Sequence, residues 1–570
     1  MNLPGTGACL LMLAITCAAQ EVVRKQVLAI PISDGAKLAA DLYLPAGFSK
    51  EGQSKGLPTV LVCTPYDRTK ENAVRLWRET MVRNGYAFVV QDMRGFYGSR
   101  DAGQGVARQG DGYDTVEWIA KQPWSNGKVG MMGYSHLGAV QYETAVTTPP
   151  HLACAIPAQA PGNYYTDSYF PPKFRKADME TLLRGELTSR TQQLIRRRVR
   201  SRETSQISRI NVPMIHSAGW FDFYKEGAIE MFNAVQKDGG PGARGRQKLL
   251  IGPWGHGSEQ EESPGMPLTI DGGVTFPGNA RFDWEAGVWL PWFDHWLKGN
   301  PTEVMEVPAV LYYLMGATGE PGAPGNRWIT SDTFPPEGKE TILYAHADHT
   351  LTATPSEKDH ATLSYTYDPR DPVPTVGRRH ARIPVKGPRD QREVEDRSDV
   401  LLFTTGRLDS ALVFAGQVRV RLWASSDRMD TDFTAKITDV YPDGRSMLVL
   451  DGIVKGRHRN TYLKEELLTP GEVNEFEIDL GFTAIAIAPG HQLRLALSSS
   501  NFDRFDINPN TAAPYGDHAL TRRLLSERMS GYTPRGQAGS TEALPARNTI
   551  HFDRSRPTQV ILPVIPLPPP

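Results

Sequence analysis

Between residues 58 and 252, short β-rich apolar runs alternate with stretches of helical period, and this alternation leaves few folds open. Thr59 to Thr64, Tyr86 to Gln91, Val129 to Met132 and Leu152 to Pro157 read as buried strands. Glu71 to Arg83, Tyr113 to Lys121 and Leu137 to Thr147, lying between them, carry the apolar spacing of amphipathic helices. Strand, helix, strand in repetition predicts an α/β fold, a parallel sheet with helices on both faces. The pattern lapses after Pro161 and resumes with a strand at Val212 to Ser217, a helix at Gly227 to Val235 and a strand at Lys248 to Gly252. Residues 162–211 are therefore expected to be an insertion, helical in character.

Downstream the period changes. Phe282 to Leu297 carries Trp289, Trp292, Phe293, Trp296 and Leu297 at helical spacing, a core stripe, with Gly299 standing where a helix stops. Beyond about residue 330 the apolar period becomes two: Val418, Val420 and Leu422, then Phe476, Ile478 and Leu480, then Leu493, Leu495 and Leu497, alternate with polar neighbours. With 53 Gly and 44 Pro in 570 residues, above the usual 7% and 5% or so, turns are plentiful, and an antiparallel β-sandwich is the natural second domain.

Charge excludes some functions. The 63 basic and 64 acidic residues balance, so no overall field draws the chain to nucleic acid or anionic membrane. The exception is local: residues 171–210 hold eleven Lys and Arg against four Asp and Glu. A charge run on a helix is usually a solvated face. The apolar run Ala8 to Ala19 is too short to span a bilayer, and the small residues at Ala18 and Ala19 suit signal-peptidase cleavage. Residues 1–19 are thus expected to be a signal peptide, without basic residues in Met1 to Gly7, and the protein to be exported without a transmembrane anchor. Thr16 is a poor residue before a lipidated Cys17. Cys63 and Cys154 lie in apolar strand runs and read as buried hydrophobes, neither metal ligands nor nucleophiles.

The sharpest chemical signal is Met132-Gly133-Tyr134-Ser135-His136-Leu137-Gly138, between a predicted strand and a predicted helix. A serine flanked by glycines at such a turn is lifted above the sheet with a helix N-terminus aimed at it, which makes Ser135 the candidate nucleophile. A serine needs a base and an orienting carboxylate, each on a loop after a later strand, in the order Ser, Asp, His. Asp222, in Gly219-Trp220-Phe221-Asp222, and His256, in Gly252-Pro253-Trp254-Gly255-His256, meet both conditions. His136 is too close in sequence to reach back as the base, but its backbone N–H suits an oxyanion donor. Tyr66, on the loop Thr64-Pro65-Tyr66-Asp67-Arg68, could donate its phenolic hydroxyl to the same oxyanion. Asp92 and Arg94 end the next strand and offer an ion pair to brace the site.

In these residues the chain resembles the family of bacterial cocaine esterase, X-Pro dipeptidyl-peptidase, α-amino-acid ester hydrolase and glutaryl acylase, the CocE/NonD-type serine hydrolases. The resemblance runs from about residue 25 to residue 565. It rests on Asp111-Gly112-Tyr113-Asp114 through Trp118-Ile119, Gln122-Pro123-Trp124-Ser125-Asn126-Gly127, the serine turn, Ala218 to Asp222, Gly252 to His256 and Trp292-Phe293-Asp294-His295-Trp296-Leu297. It continues in Ser425-Ser426-Asp427, Asp430-Thr431-Asp432-Phe433, Asp439 to Gly444 and Ser498 to Phe502. The Gly-x-Ser-x-x-Gly spacing, one residue longer than the usual elbow, is this family's own.

The resemblance implies an α/β-hydrolase domain over residues 20–161 and 212–332, a short helical cap at 162–211 and a C-terminal jelly-roll β-sandwich at 333–570. It implies Ser135 as nucleophile, His256 as general base then acid, Asp222 as its orienter, and an oxyanion hole of the Tyr66 hydroxyl and the His136 amide. It implies neither cofactor nor metal. The expected partner is a small ester or amide; the oligomeric state is not legible. The similar α-amino-acid ester hydrolases place acidic residues just after the catalytic aspartate to hold a substrate ammonium, whereas here Phe223-Tyr224-Lys225 follow Asp222, so that a cationic amine would meet Lys225. An X-Pro dipeptidyl-peptidase and an acylase acting on glutaryl-type amides are the alternatives, the latter favoured if the basic segment overhangs the pocket. An inert hydrolase domain on a β-sandwich binding protein would have no need to keep Ser135, Asp222 and His256 together.

Overall fold

The structure is a computed structural model that describes residues 24–48, 56–70, 72–103, 109–162, 206–257, 267–270, 274–377, 387–460, 464–502, 504–505, 507–512 and 542–569. The expected signal peptide and residues 163–205 of the expected cap, with most of its basic charge, lie outside them.

The first half is an eight-stranded α/β sheet. Its strands are β1 (Arg24–Pro31), β2 (Lys37–Leu44), β3 (Leu57–Thr64), β4 (Ala87–Asp92), β5 (Ser125–Tyr134), β6 (Leu152–Ala158), β7 (Ile215–Phe221) and β8 (Lys248–Gly255). They pair in the order β1-β2-β4-β3-β5-β6-β7-β8, antiparallel at β1–β2 and β2–β4 and parallel from β4 onward. Helices α1 (Asn72–Arg83), α2 (Gln109–Ala120), α3 (His136–Ala145) and α4 (Lys225–Asp238) pack on it. The central strands are buried along their length because helices cover both faces, which is why they read as unbroken apolar runs.

The long serine spacing has a packing cause. Gly138 sits in the first turn of α3 where that helix crosses β6, and a Cβ there would lie 2.6 Å from the Ala160 Cβ and 3.0 Å from the Ala158 carbonyl. Only glycine lets the helix descend this close to the sheet.

After the short hairpin β9 (Leu268–Ile270) and β10 (Val274–Phe276), the aromatic stripe folds as one helical run over residues 285–298, π-helical at both ends, with Gly299 in the left-handed conformation closing it. Trp292, Phe293 and Leu297 are fully buried. Strand β11 (Val310–Gly316) then adds in parallel beside β8, and β12 (Arg327–Ser331) runs antiparallel to β11.

Strands from β13 (Lys339–Ala345) onward form two facing antiparallel sheets. One holds β13, β14 (Leu351–Thr352), β15 (Thr362–Tyr367), β17 (Leu412–Ser426), β20 (Asn474–Ile487), β22 (Ala546–His551) and β23 (Gln559–Val564). The other is ordered β16 (Leu401–Thr404), β21 (Gln492–Ser498), β18 (Asp432–Val440), β19 (Ser446–Lys455). Period-two residues supply the core between them: Val418, Val420, Leu422, Ile478, Leu493 and Leu495 are fully buried, and the rings of Phe433 and Phe476 meet across the sheets at 4.7 Å. This is an α/β-hydrolase sheet with a C-terminal β-sandwich. Among the described residues no helix is long and apolar enough to cross a membrane.

The two layers are fastened together. Met315 and Gly316 of β11 pair in parallel with Ile485 and Ala486 of β20, carrying the hydrolase sheet into the sandwich. Nearby, fully buried His491 holds two carboxylates at once: Nδ1 lies 2.7 Å from Asp439 Oδ1 and Nε2 lies 3.0 Å from Glu320 Oε2. Both ring nitrogens must donate to acceptor-only partners, so the group is an imidazolium bridging the β11–β12 loop to the sandwich. Burial works against that charge, but the hydrogen bonds and charges of Asp439 and Glu320 outweigh it and hold the His491 pKa above its ordinary value. Burial also holds the Asp439 carboxyl above its ordinary value, against the pull of the imidazole.

A histidine whose folded pKa is raised stabilises fully below its unfolded pKa of about 6.5 and loses that contribution as pH climbs through the folded value. The melting temperature of wild type should therefore exceed that of His491→Gln most at about pH 6 and by progressively less toward about pH 9. A difference that stays constant over that range would show that the imidazole carries no bridging proton.

Candidate active site

Ser135 is the residue between β5 and α3, with φ 60° and ψ −126°. A non-glycine residue in that region is strained, and strain of this kind persists only where its surroundings enforce it. Here the Ser135 N–H donates to the Ala158 carbonyl at 3.0 Å, pinning the turn to the end of β6, and its carbonyl accepts from Gly138 and Ala139 in the first turn of α3. The hydroxyl is thus carried above the carboxyl ends of the parallel strands, where ligands of open α/β sheets bind.

Asp222 directly follows β7 and is fully buried. Its Oδ1 accepts from His256 Nδ1 at 3.1 Å and from the Tyr224 N–H at 3.0 Å. His256 directly follows β8, its side chain 11% exposed. Its ring is walled by Phe223 at 4.5 Å, Tyr224 at 5.6 Å and Tyr134 at 6.2 Å between centroids. Tyr134 is the chain neighbour of Ser135, so the imidazole lies against the serine turn with its Nδ1 side turned to the carboxylate. Of the sequence-predicted groups, the structure joins His256 to Asp222 directly and to the elbow through Tyr134.

His136 begins α3, and burial pushes its imidazole down to about 4, so the side chain is neutral at ordinary pH. Tyr66 follows β3, the strand hydrogen-bonded to β5, and is 48% exposed. Its N–H donates to Thr64 Oγ1 at 3.0 Å. Arg68 anchors the base of this loop, its N–H donating to Asp92 Oδ1 at 2.9 Å and its guanidinium reaching Asp92 and Asp41.

Two expectations need correction. Asp92 and Arg94 do not pair with each other: Asp92 takes Arg68, while Arg94 makes a two-pronged bond to Asp111 at 2.7 and 2.8 Å. The Asp92 side chain faces β2 and the loop after β3, whereas Arg94 lies past the strand end and turns toward α2. Lys225 does not face a substrate either. It is fully buried, lies beside Glu226, and its Nζ donates to the Phe482 carbonyl of β20, tying the segment after Asp222 to the sandwich.

Gln159, which the sequence did not single out, belongs to the site. It stands at the end of β6, 1% exposed, and touches the backbone on both sides of His256. Among the described residues no cluster of His, Cys, Asp and Glu could hold a metal ion.

A strained serine at the strand–helix turn and a buried carboxylate on an imidazole beside it define an α/β-fold hydrolase. Residues 34–196 and 176–258 match the family profile of X-Pro dipeptidyl-peptidase (S15 family), and residues 302–561 match the X-Pro dipeptidyl-peptidase C-terminal non-catalytic domain. The cocaine esterase of Rhodococcus sp. (strain MB1 Bresler) is 30% identical over 607 aligned positions, covering 94% of this chain and 97% of the esterase. The fold is shared with an aminopeptidase from a marine sediment Thaumarchaeota archaeon (TM-score 0.76, 24% identity, 95% of this chain and 97% of that one). It is shared as well with an α-amino acid ester hydrolase (TM-score 0.74, 24% identity, 99% and 98%). The chain belongs to the cocaine esterase and X-Pro dipeptidyl-peptidase family of serine hydrolases.

Proposed function

We propose that the protein is an exported carboxylic-ester hydrolase that works through an acyl-enzyme on Ser135, with His256 as general base and then acid and Asp222 as its orienter. The observation that carries this reading is the strained turn at Ser135 set against the His256–Asp222 pair. With Asp222 accepting at Nδ1, the imidazole carries its proton there and leaves Nε2 to take the serine proton. Oγ then attacks the ester carbonyl, the oxyanion is met by the His136 N–H and the Tyr66 hydroxyl, and the proton passes from Nε2 to the leaving alcohol. Water repeats the sequence to release the acid. All of these groups come from loops at one edge of the sheet, so the substrate is bound there.

The ester assignment is supported by the 30% identical relative named an esterase. It is supported as well by the aromatic rings of Phe223 and Tyr224, which stand after Asp222 and wall His256 with apolar surface. Export is supported by residues 1–19. The test is stoichiometric inactivation by a p-nitrophenyl alkylphosphonate, with peptide mapping of the label, beside turnover of p-nitrophenyl acetate, butyrate and glutarate. The label is expected on Ser135, with release of one p-nitrophenol per chain. A label on another residue, or undiminished turnover after labelling, would overturn the assignment.

A further inference from the structure

We propose that Gln159 is a positioning residue for His256, an inference that rests on the reading of His256 as the general base. Gln159 follows the last residue of β6 and is held in the left-handed region at φ 42°, its own N–H donating to the Ser217 carbonyl of β7 at 2.8 Å. From there the side chain reaches across β7 to the loop after β8. Its Nε2 donates to the Gly255 carbonyl at 3.0 Å and its Oε1 accepts from the Gly257 N–H at 2.7 Å.

Those two backbone groups belong to the peptide units on either side of His256. One primary amide therefore brackets the base from both sides, with its NH₂ group as donor and its oxygen as acceptor in a single planar group. The His256 Cα is fixed by this bracket while the ring is fixed by Asp222 on one edge and by Phe223 and Tyr224 on its faces. The strain at Gln159 has a use in this arrangement. An extended backbone at the end of β6 would point the side chain to one face of the sheet, whereas with the left-handed turn it reaches over β7 to the backbone around His256.

A positioning role has consequences that simple packing lacks. Without the bracket the loop relaxes, the His256–Asp222 hydrogen bond lengthens, and Nε2 leaves the line to Oγ. Misplacement by about 1 Å costs about 100-fold in turnover. In Gln159→Met, which keeps the shape but removes both bonds, kcat per phosphonate-titrated site should fall by about 10- to 100-fold while KM changes little. Gln159→Glu keeps the acceptor for Gly257 but sets a carboxylate against the Gly255 carbonyl, and should lose at least as much. It serves as the second variant if Gln159→Met does not fold.

Ser135→Ala in the same assay separates the two readings. If Ser135→Ala is inactive while folded Gln159 variants keep wild-type kcat per site, the positioning role is overturned and the site assignment stands. Activity retained in Ser135→Ala removes the foundation of both. A fall in kcat per titrated site with little change in KM supports the inference.

Discussion

Ser135→Ala should lower kcat for p-nitrophenyl butyrate by about 10⁶-fold, the loss seen when the nucleophile of a serine triad is removed, which corresponds to about 8 kcal/mol of transition-state stabilisation. The size follows from what the hydroxyl does. On this reading it makes the new bond, and alanine offers no atom in its place. His256 alone could activate a water, but the turn aims the residue at 135, not a solvent molecule, at the carbonyl carbon. Alanine keeps the backbone conformation, and the N–H to the Ala158 carbonyl and the carbonyl bonds from Gly138 and Ala139 are main-chain interactions that it leaves in place. The variant should therefore melt within a few degrees of wild type, a change of about 1 kcal/mol or less. Hydrolysis surviving within about 100-fold of wild type in a folded Ser135→Ala protein would place the nucleophile elsewhere.

Much of the candidate site is legible from order along the chain: Ser135 lies between a strand run and a helical run, and Asp222 and His256 follow later strand runs by a few residues. In the structure each stands directly after its strand, β5, β7 and β8. Strand ends were less legible. The reading stopped β7 at Ser217 and β8 at Gly252, whereas pairing continues to Phe221 and Gly255, because glycines and tryptophans interrupt the aliphatic signal that marks a strand. Strand β18 is buried on both faces, Asp432, Lys436 and Asp439 included, so the period-two rule that found β17, β20 and β21 had nothing to detect there.

Three features escaped the sequence for a common reason: their partners are backbone atoms or distant charges. Gln159 binds the main chain around His256, 98 positions from Gly257 along the chain. Lys225 reads as a charge beside the site, but the Phe482 carbonyl that accepts its hydrogen bond lies 257 residues away. Arg94 has Asp92 as its near neighbour in sequence, yet Asp92 ends β4 while Arg94 lies beyond it and pairs with Asp111 of α2. Proximity along the chain predicts an ion pair poorly where a strand ends between the partners.

Asp222→Asn is the substitution that most sharply separates orientation from charge, since it keeps the volume of the side chain and should still lower kcat by about 10⁴-fold, about 5 kcal/mol. Asp222 Oδ1 accepts two hydrogen bonds, from His256 Nδ1 and from the Tyr224 N–H. A carboxylate is acceptor only, so it dictates that the imidazole proton sits on Nδ1. An amide has one oxygen and one NH₂ group. Both bonds fall on Oδ1, so an amide oxygen in that place keeps them and the loss is that of the charge; an amide turned the other way sets its NH₂ group against Nδ1, moves the imidazole proton to Nε2, and leaves the ring unable to accept from Ser135 Oγ. The imidazolium formed during attack also loses the fully buried negative charge that offsets it. Leaving groups that need protonation should suffer more. An anilide departs only with a proton from Nε2, whereas p-nitrophenolate leaves as the anion, so the ratio of ester to anilide turnover should rise in the variant. Phosphonylation of Ser135 should slow in step with kcat, since both require the same proton transfer. A folded Asp222→Asn protein within about tenfold of wild type would mean that another group orients His256.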